Sequence, residues 1–115
     1  MKTNKQLKEA YKQMKFPAGV FQIRNLQNGK VFISSSANLD TAWNSQRFKL
    51  NAGLHPNQLL QNDWKQSVEE NFAYEILETI ENEEQTISTN DLKALEALMI
   101  EIKQPFGHKG YHKMG

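Results

Sequence analysis

Cysteine is absent from the 115 residues. That excludes a disulfide scaffold, thiolate zinc sites and a cysteine nucleophile, and it leaves no sign of an oxidising compartment. Long apolar runs are absent as well: no stretch approaches the roughly 18 residues that a membrane-spanning helix needs. The start, Met1-Lys2-Thr3-Asn4-Lys5-Gln6, is polar and has no apolar segment of the kind that directs secretion. A soluble, cytoplasmic protein is therefore expected. Arginine is scarce. Arg24 and Arg47 are the two in the chain, so chemistry that needs a guanidinium has two candidates. Internal repeats are missing, and the many Asn and Gln residues are dispersed rather than gathered into low-complexity tracts.

What is there fits one small domain. A chain of 115 residues is too short for a multidomain enzyme or a large barrel, yet long enough for one modest core. Hydrophobic residues make up 38% and charged residues 23%, the ordinary range for a globular protein. The net charge of +1 hides an asymmetry. Residues 1–60 carry nine Lys/Arg and two acids, net +7, whereas residues 61–115 carry five Lys and eleven acids, net −6. A basic half attracts phosphate backbones and an acidic half repels them, unless folding interleaves the two and cancels the field.

Apolar spacing then divides the chain. Leu7, Ala10, Tyr11 and Met14 recur at helical spacing, which predicts a helix over 3–15 capped by Thr3 or Asn4. Phe16-Pro17-Ala18-Gly19 ends it. Val20-Phe21-Gln22-Ile23-Arg24 and Val31-Phe32-Ile33-Ser34 read as strands, and Asn28-Gly29 between them predicts a hairpin. Two helices follow, from about Leu39 to Asn51 and near 57–67. Their apolar residues are Leu39, Trp43 and Leu50, then Leu59, Leu60, Trp64 and Val68. Phe72 to Glu78 alternates as a third strand, with Phe72, Tyr74 and Ile76 on one face. Residues 81–85 form an acidic loop. A last helix runs from Asn90 to about Lys103, with Leu92, Leu95, Leu98, Met99 and Ile102 inward. Pro105 stops it, and an irregular tail closes the chain. The order α-ββ-α-α-β-α predicts an α+β domain with a small three-stranded antiparallel sheet flanked by helices.

Gly19-Val20-Phe21 and Phe32-Ile33-Ser34, about ten residues apart on two strands, resemble the paired triplets of GIY-YIG nuclease domains. Asn38-Leu39-Asp40-Thr41-Ala42-Trp43-Asn44 resembles the helix that bears that family's catalytic arginine. Gly53-Leu54-His55-Pro56-Asn57, the strand around Phe72–Glu78, the helix around Leu95-Glu96-Ala97 and the closing Gly110-Tyr111-His112 follow in the family's order. The resemblance covers residues 17–112 and leaves 1–16 as an added N-terminal helix.

The resemblance implies cleavage of DNA phosphodiesters with a divalent ion, Mg²⁺ or Mn²⁺, held by a glutamate. Glu96 stands at that position, although it reads equally as an exposed helix residue. His55 is retained as a group that can donate to a phosphate or assist proton transfer, or else as a helix cap beside Pro56. Other positions depart from the pattern. Phe21 and Phe32 stand where two tyrosines belong, and phenylalanine has no hydroxyl. Ala42 stands where the arginine belongs, and losing one such electrostatic group commonly costs ~10²–10³ in rate. Gln46 falls where a histidine is frequent and carries no proton at neutral pH. Ser34 replaces the glycine of the second triplet, and His112 replaces an asparagine. Arg47 lies five residues beyond Ala42, roughly 140° around a helix, and Arg24 lies on the opposite strand face from Phe21. Neither is placed to substitute for the missing arginine.

Three functions fit this pattern. The first is a GIY-YIG-like domain with impaired hydrolysis that still binds DNA, through Arg24, Lys30, Arg47 and Lys49 with Trp43 nearby. The second is an active metal-dependent endonuclease built on Glu96, His55 and a displaced cation. The third is a non-catalytic protein-interaction module.

Overall fold

The computed structural model describes residues 16–80 and 89–113. The helix expected over 3–15 and the acidic loop at 81–85 lie outside the described residues. The elements are β1 (Ala18–Asn25), β2 (Val31–Ser36), α1 (Leu39–Ala52), α2 (Gln58–Lys65), β3 (Phe72–Ile80) and α3 (Thr89–Lys103).

The hairpin forms as its turn residues predict. Gly29 takes φ 76°, a left-handed conformation that costs glycine little. Its N–H donates to the Asn25 carbonyl at 2.7 Å, while the Asn25 N–H donates to the Lys30 carbonyl at 2.9 Å. β1 and β2 pair antiparallel from Gly19↔Ser36 to Arg24↔Val31. β3 adds antiparallel to the other edge of β1, giving the order β2-β1-β3. Its pairing shifts register between Val20 and Phe21, whose partners are Glu78 and Ile76. Leu77 is left as the extra residue of a β-bulge.

Alternation along the strands gives the sheet two different faces. On one, Phe21, Ile23 and Phe72 join Leu39, Ala42 and Leu50 of α1, Leu60 and Trp64 of α2, and Tyr111 in a single core, with Phe32, Trp43 and Tyr74 packed at its margin. On the other, α3 lies over β1 and β2. The helix ends follow from the sequence. Asn38 caps α1 by accepting from the Asp40 N–H at 3.0 Å. Gly53, at φ 75°, closes it with its N–H on the Leu50 carbonyl. Asn57 caps α2 by accepting from the Leu60 N–H at 3.0 Å, so His55 and Pro56 precede the helix.

Two features differ from the sequence expectation. Several residues expected inside are exposed: Leu59, Val68, Ile76, Leu98 and Ile102. On α3 the apolar stripe is wider than the strip the sheet covers, so Leu92 is buried while Leu98 and Ile102 stand clear. The closing tail is also more ordered than expected. The Tyr111 N–H donates to the Val31 carbonyl at 3.0 Å, and Gly110 forms a parallel bridge with Val31, so the tail runs along the free edge of β2. A Cβ on Gly110 would sit 2.3 Å from the Pro105 carbonyl oxygen, which leaves room for glycine alone.

Candidate functional site

Phe32 of β2 lies between two histidines. The His55 ring meets it edge-on with centroids 5.1 Å apart. The His112 ring stacks on it at 5.3 Å and 2°. Both imidazoles are fixed by their hydrogen bonds. His55 Nδ1 accepts from the Asn57 N–H at 3.0 Å, so Nε2 carries the proton and donates to Gln46 Oε1 at 2.6 Å. The Gln61 side chain anchors the backbone around it: its Oε1 accepts from the His55 N–H at 3.0 Å, and its Nε2 donates to the Leu50 carbonyl at 2.9 Å. His112 Nε2 accepts from the Ile33 N–H at 2.8 Å, which leaves the proton of the neutral ring on Nδ1. Burial holds both pKa values below the usual histidine value. The Lys49 charge lowers that of His55 further, while the Glu96 charge works against the shift at His112.

α1 presents Gln46 to this cluster. Ala42, one turn earlier, is buried in the core. Arg47 turns another way: its guanidinium lies 5.4 Å from the Trp43 ring centroid, 3.6 Å from Glu69 Oε1, and bonds to Asn44. Trp43 in turn stacks on Tyr74 at 5.8 Å and meets Trp64 edge-on at 6.1 Å. Phe21 is wholly buried against Tyr74, with centroids 5.3 Å apart. The side of α1 that faces His55 therefore contributes the Gln46 amide, with Lys49 in the last turn close enough for its charge to act on the ring.

The remaining cations are dispersed. Lys49 is exposed in the last turn of α1. Lys30 Nζ lies 5.9 Å from the Tyr111 ring centroid. Arg24 is on the α3 face of β1 and binds Glu75 with two hydrogen bonds, at 2.8 and 3.1 Å. Gln22 donates to the same carboxylate at 3.0 Å, and these bonds hold the Glu75 carboxyl below the usual range.

Glu96 projects from α3 to the end of β2. Its Oε1 accepts from Ser35 Oγ at 3.1 Å, its Oε2 lies 3.8 Å from Lys93 Nζ, and the side chain is 18% exposed. Among the described residues no three His, Asp or Glu side chains form a metal-binding group. One partly accessible carboxylate with spare lone pairs fits a hydrated Mg²⁺ or Mn²⁺ that takes its other ligands from water and phosphate oxygens. Glu96 would hold such an ion, which would polarise a phosphoryl oxygen; Lys93 beside it competes for the same charge.

Two residues that the sequence showed only as members of motifs prove to tie the site together. Tyr111 donates from its hydroxyl to Asp63 Oδ2 at 2.7 Å and accepts from Asn25 Nδ2 at 3.0 Å. Burial raises its pKa far above the ordinary tyrosine value. Asn57 both caps α2 and donates from Nδ2 to the Tyr111 carbonyl at 3.0 Å, which ties the tail to the loop that carries His55. A cleft of about 300 Å³, lined by Pro56, Asn57, Leu59, Tyr111, His112 and Lys113, opens beside this junction. A Gly-Tyr pair after a proline-terminated helix was the one visible cue to the clamp.

No protein-family model matches the chain, and no curated protein matches it. Solved structures do. The catalytic domain of the homing endonuclease I-TevI aligns with a TM-score of 0.69 at 24% identity, covering 85% of this chain and 99% of that one. A mutant of the catalytic domain of the same intron endonuclease aligns with a TM-score of 0.70 at 22% identity, covering 84% of this chain and 93% of that one. The three-stranded antiparallel sheet and its helices thus form the GIY-YIG nuclease fold.

Proposed function

We propose that this chain is a DNA-binding domain of the GIY-YIG endonuclease fold in which phosphodiester hydrolysis is impaired. The observation that carries the reading is the side of α1 turned toward His55. It offers the buried Ala42 and the neutral Gln46, with the exposed Lys49 as the cation whose charge reaches His55, while Arg47 is engaged with Trp43 and Glu69. Hydrolysis requires a preorganised positive group where negative charge develops on the phosphoryl oxygens. Phe21 and Phe32 add no hydroxyl to activate or orient water. His55 holds its one proton in the bond to Gln46. A phosphate in contact with Gln46 and the exposed Lys49 would be bound without being strongly activated.

The retained parts support DNA as the ligand. Glu96, partly accessible beside Ser35, would take the role of holding a divalent ion, and such ions generally serve nucleases of this fold. Lys30, Arg47 and Lys49 lie on the hairpin and α1, in the basic half of the sequence. Arg24, paired with Glu75 on the α3 face, would contribute less.

The test is an equilibrium binding and nicking assay on labelled single-stranded, duplex and branched DNA, with and without Mg²⁺ or Mn²⁺ at two salt concentrations. The expected result is binding that weakens steeply with salt, as phosphate contacts require, and little cleavage. Absence of binding at low salt would contradict the proposal and favour a protein-interaction role.

A further inference from the structure

We infer that the groove between α3 and β3 is the docking site for this chain's own residues 3–15, laid in as an amphipathic helix. The groove has an open volume of about 790 Å³ and an apolar lining that includes Ile80, Leu95, Leu98, Met99 and Ile102. Leu98 and Ile102, one turn apart, remain 49% and 63% exposed. Glu78 lines the same groove, and Glu101 borders the stripe one residue before Ile102. The groove is therefore an apolar strip with an acidic margin.

Three observations point to the N-terminal segment. The first is connection. Ala18, the first residue of β1, pairs with Ile80, the last of β3, and Ile80 lines the groove. Lys15 is three residues earlier and lies no more than about 10 Å from Ala18 even when the chain is fully extended. The second is length. Thirteen helical residues span about 20 Å, close to the span of the 15 residues of α3. The third is complementarity. Leu7, Ala10, Tyr11 and Met14 form one apolar stripe, and residues 1–15 carry five lysines against one glutamate. That is the pattern by which a helix seats in a hydrophobic groove with an oppositely charged rim.

The arrangement leaves the candidate nuclease site open. Glu96 faces Ser35 on β2, whereas Leu95, Leu98 and Ile102 face the β3 side. The inference is thus independent of the proposed activity.

The absence of cysteine allows a direct test on the full chain. A nitroxide attached at Glu101→Cys broadens amide NMR signals within its range, and the same sample with the label reduced is the reference. The expected result is loss of most of the signal intensity for residues 7–14, unchanged on tenfold dilution. A second labelled protein that also carries Leu7→Ser and Tyr11→Ser is expected to recover that intensity while the signals of residues 18–80 keep their positions. Full intensity for residues 7–14 in the first protein would overturn the inference. So would broadening that appears when spin-labelled chains without ¹⁵N are mixed with unlabelled ¹⁵N chains, since the occupant would then be a second copy. Broadening that survives the double substitution would overturn it too, because the apolar stripe would not be what docks.

Discussion

His55 is the residue at which structure and chemistry meet most closely. It was legible in the sequence as a retained histidine beside Pro56, but whether it capped a helix or served a site was open. The structure gives the cap to Asn57 and turns the His55 ring toward Gln46 and Phe32. Burial favours the neutral ring, so its pKa in the folded state lies below the ordinary 6.5. The unfolded chain then takes up a proton that the folded chain does not. The corresponding stability is fully present above about pH 6.5 and declines as the pH falls below it. The depressed His112 pKa acts in the same direction. Glu75, with a carboxyl held below 4.5, begins to lose its contribution only under that value. Urea unfolding midpoints are therefore expected to drop between pH 7.5 and 5.5; a rise over that range would contradict the assignment. Ring ¹⁵N shifts at pH 7.5 are expected to show His55 protonated at Nε2 and not at Nδ1.

Tyr111 shows what residue-level reading missed. Its hydroxyl partners, Asn25 and Asp63, lie 86 and 48 residues away in sequence, and no local pattern announces such a contact. Tyr111→Phe leaves the buried Asn25 amide without its acceptor. It is expected to cost about 1–3 kcal/mol, measured as a shift in the urea midpoint at an unchanged m-value. The backbone bonds of the tail should survive.

At the scale of elements, the hairpin, the three helices and the third strand were all readable, because each carries its own period and its own punctuation. Asn28-Gly29 set the hairpin, and Gly53 ended α1. The bulge at Leu77 and the exposure of Leu98 and Ile102 were not readable. Both depend on how one element crosses another, and a strand or helix period is blind to that. Two substitutions probe the junctions. A Cβ at position 19 would lie 2.0 Å from the Glu78 carbonyl oxygen, so Gly19→Ala must push β3 away from the central strand. A loss of more than about 2 kcal/mol is expected, with the long tail of severe mutational effects as the reference. Asn57→Ala removes the α2 cap and the bond to the Tyr111 carbonyl. It is expected to cost about 1–2 kcal/mol and to raise hydrogen exchange at both the start of α2 and the tail.

Taken whole, the molecule has the GIY-YIG fold, with the three-stranded antiparallel sheet and flanking helices of that topology. The resemblance drawn from degenerate triplets anticipated that topology, because order and spacing of apolar segments persist when individual side chains change. The charge asymmetry was only partly legible. Arg24 and Arg47, both of the basic half, are paired with Glu75 and Glu69 of the acidic half, so folding interleaves the two in part. No helix among the described residues is long and apolar enough to cross a membrane.

A domain that holds DNA but hydrolyses it poorly is tested most directly by single-turnover nicking with enzyme in excess over DNA. Wild type and Glu96→Ala are compared in Mg²⁺ and Mn²⁺, with binding read in the same tubes. The expected result is salt-sensitive binding by both proteins and no metal-dependent cleavage by wild type above that of Glu96→Ala. Metal-dependent cleavage by wild type that disappears in Glu96→Ala would contradict it, and would mean that other groups have replaced the missing tyrosines and arginine.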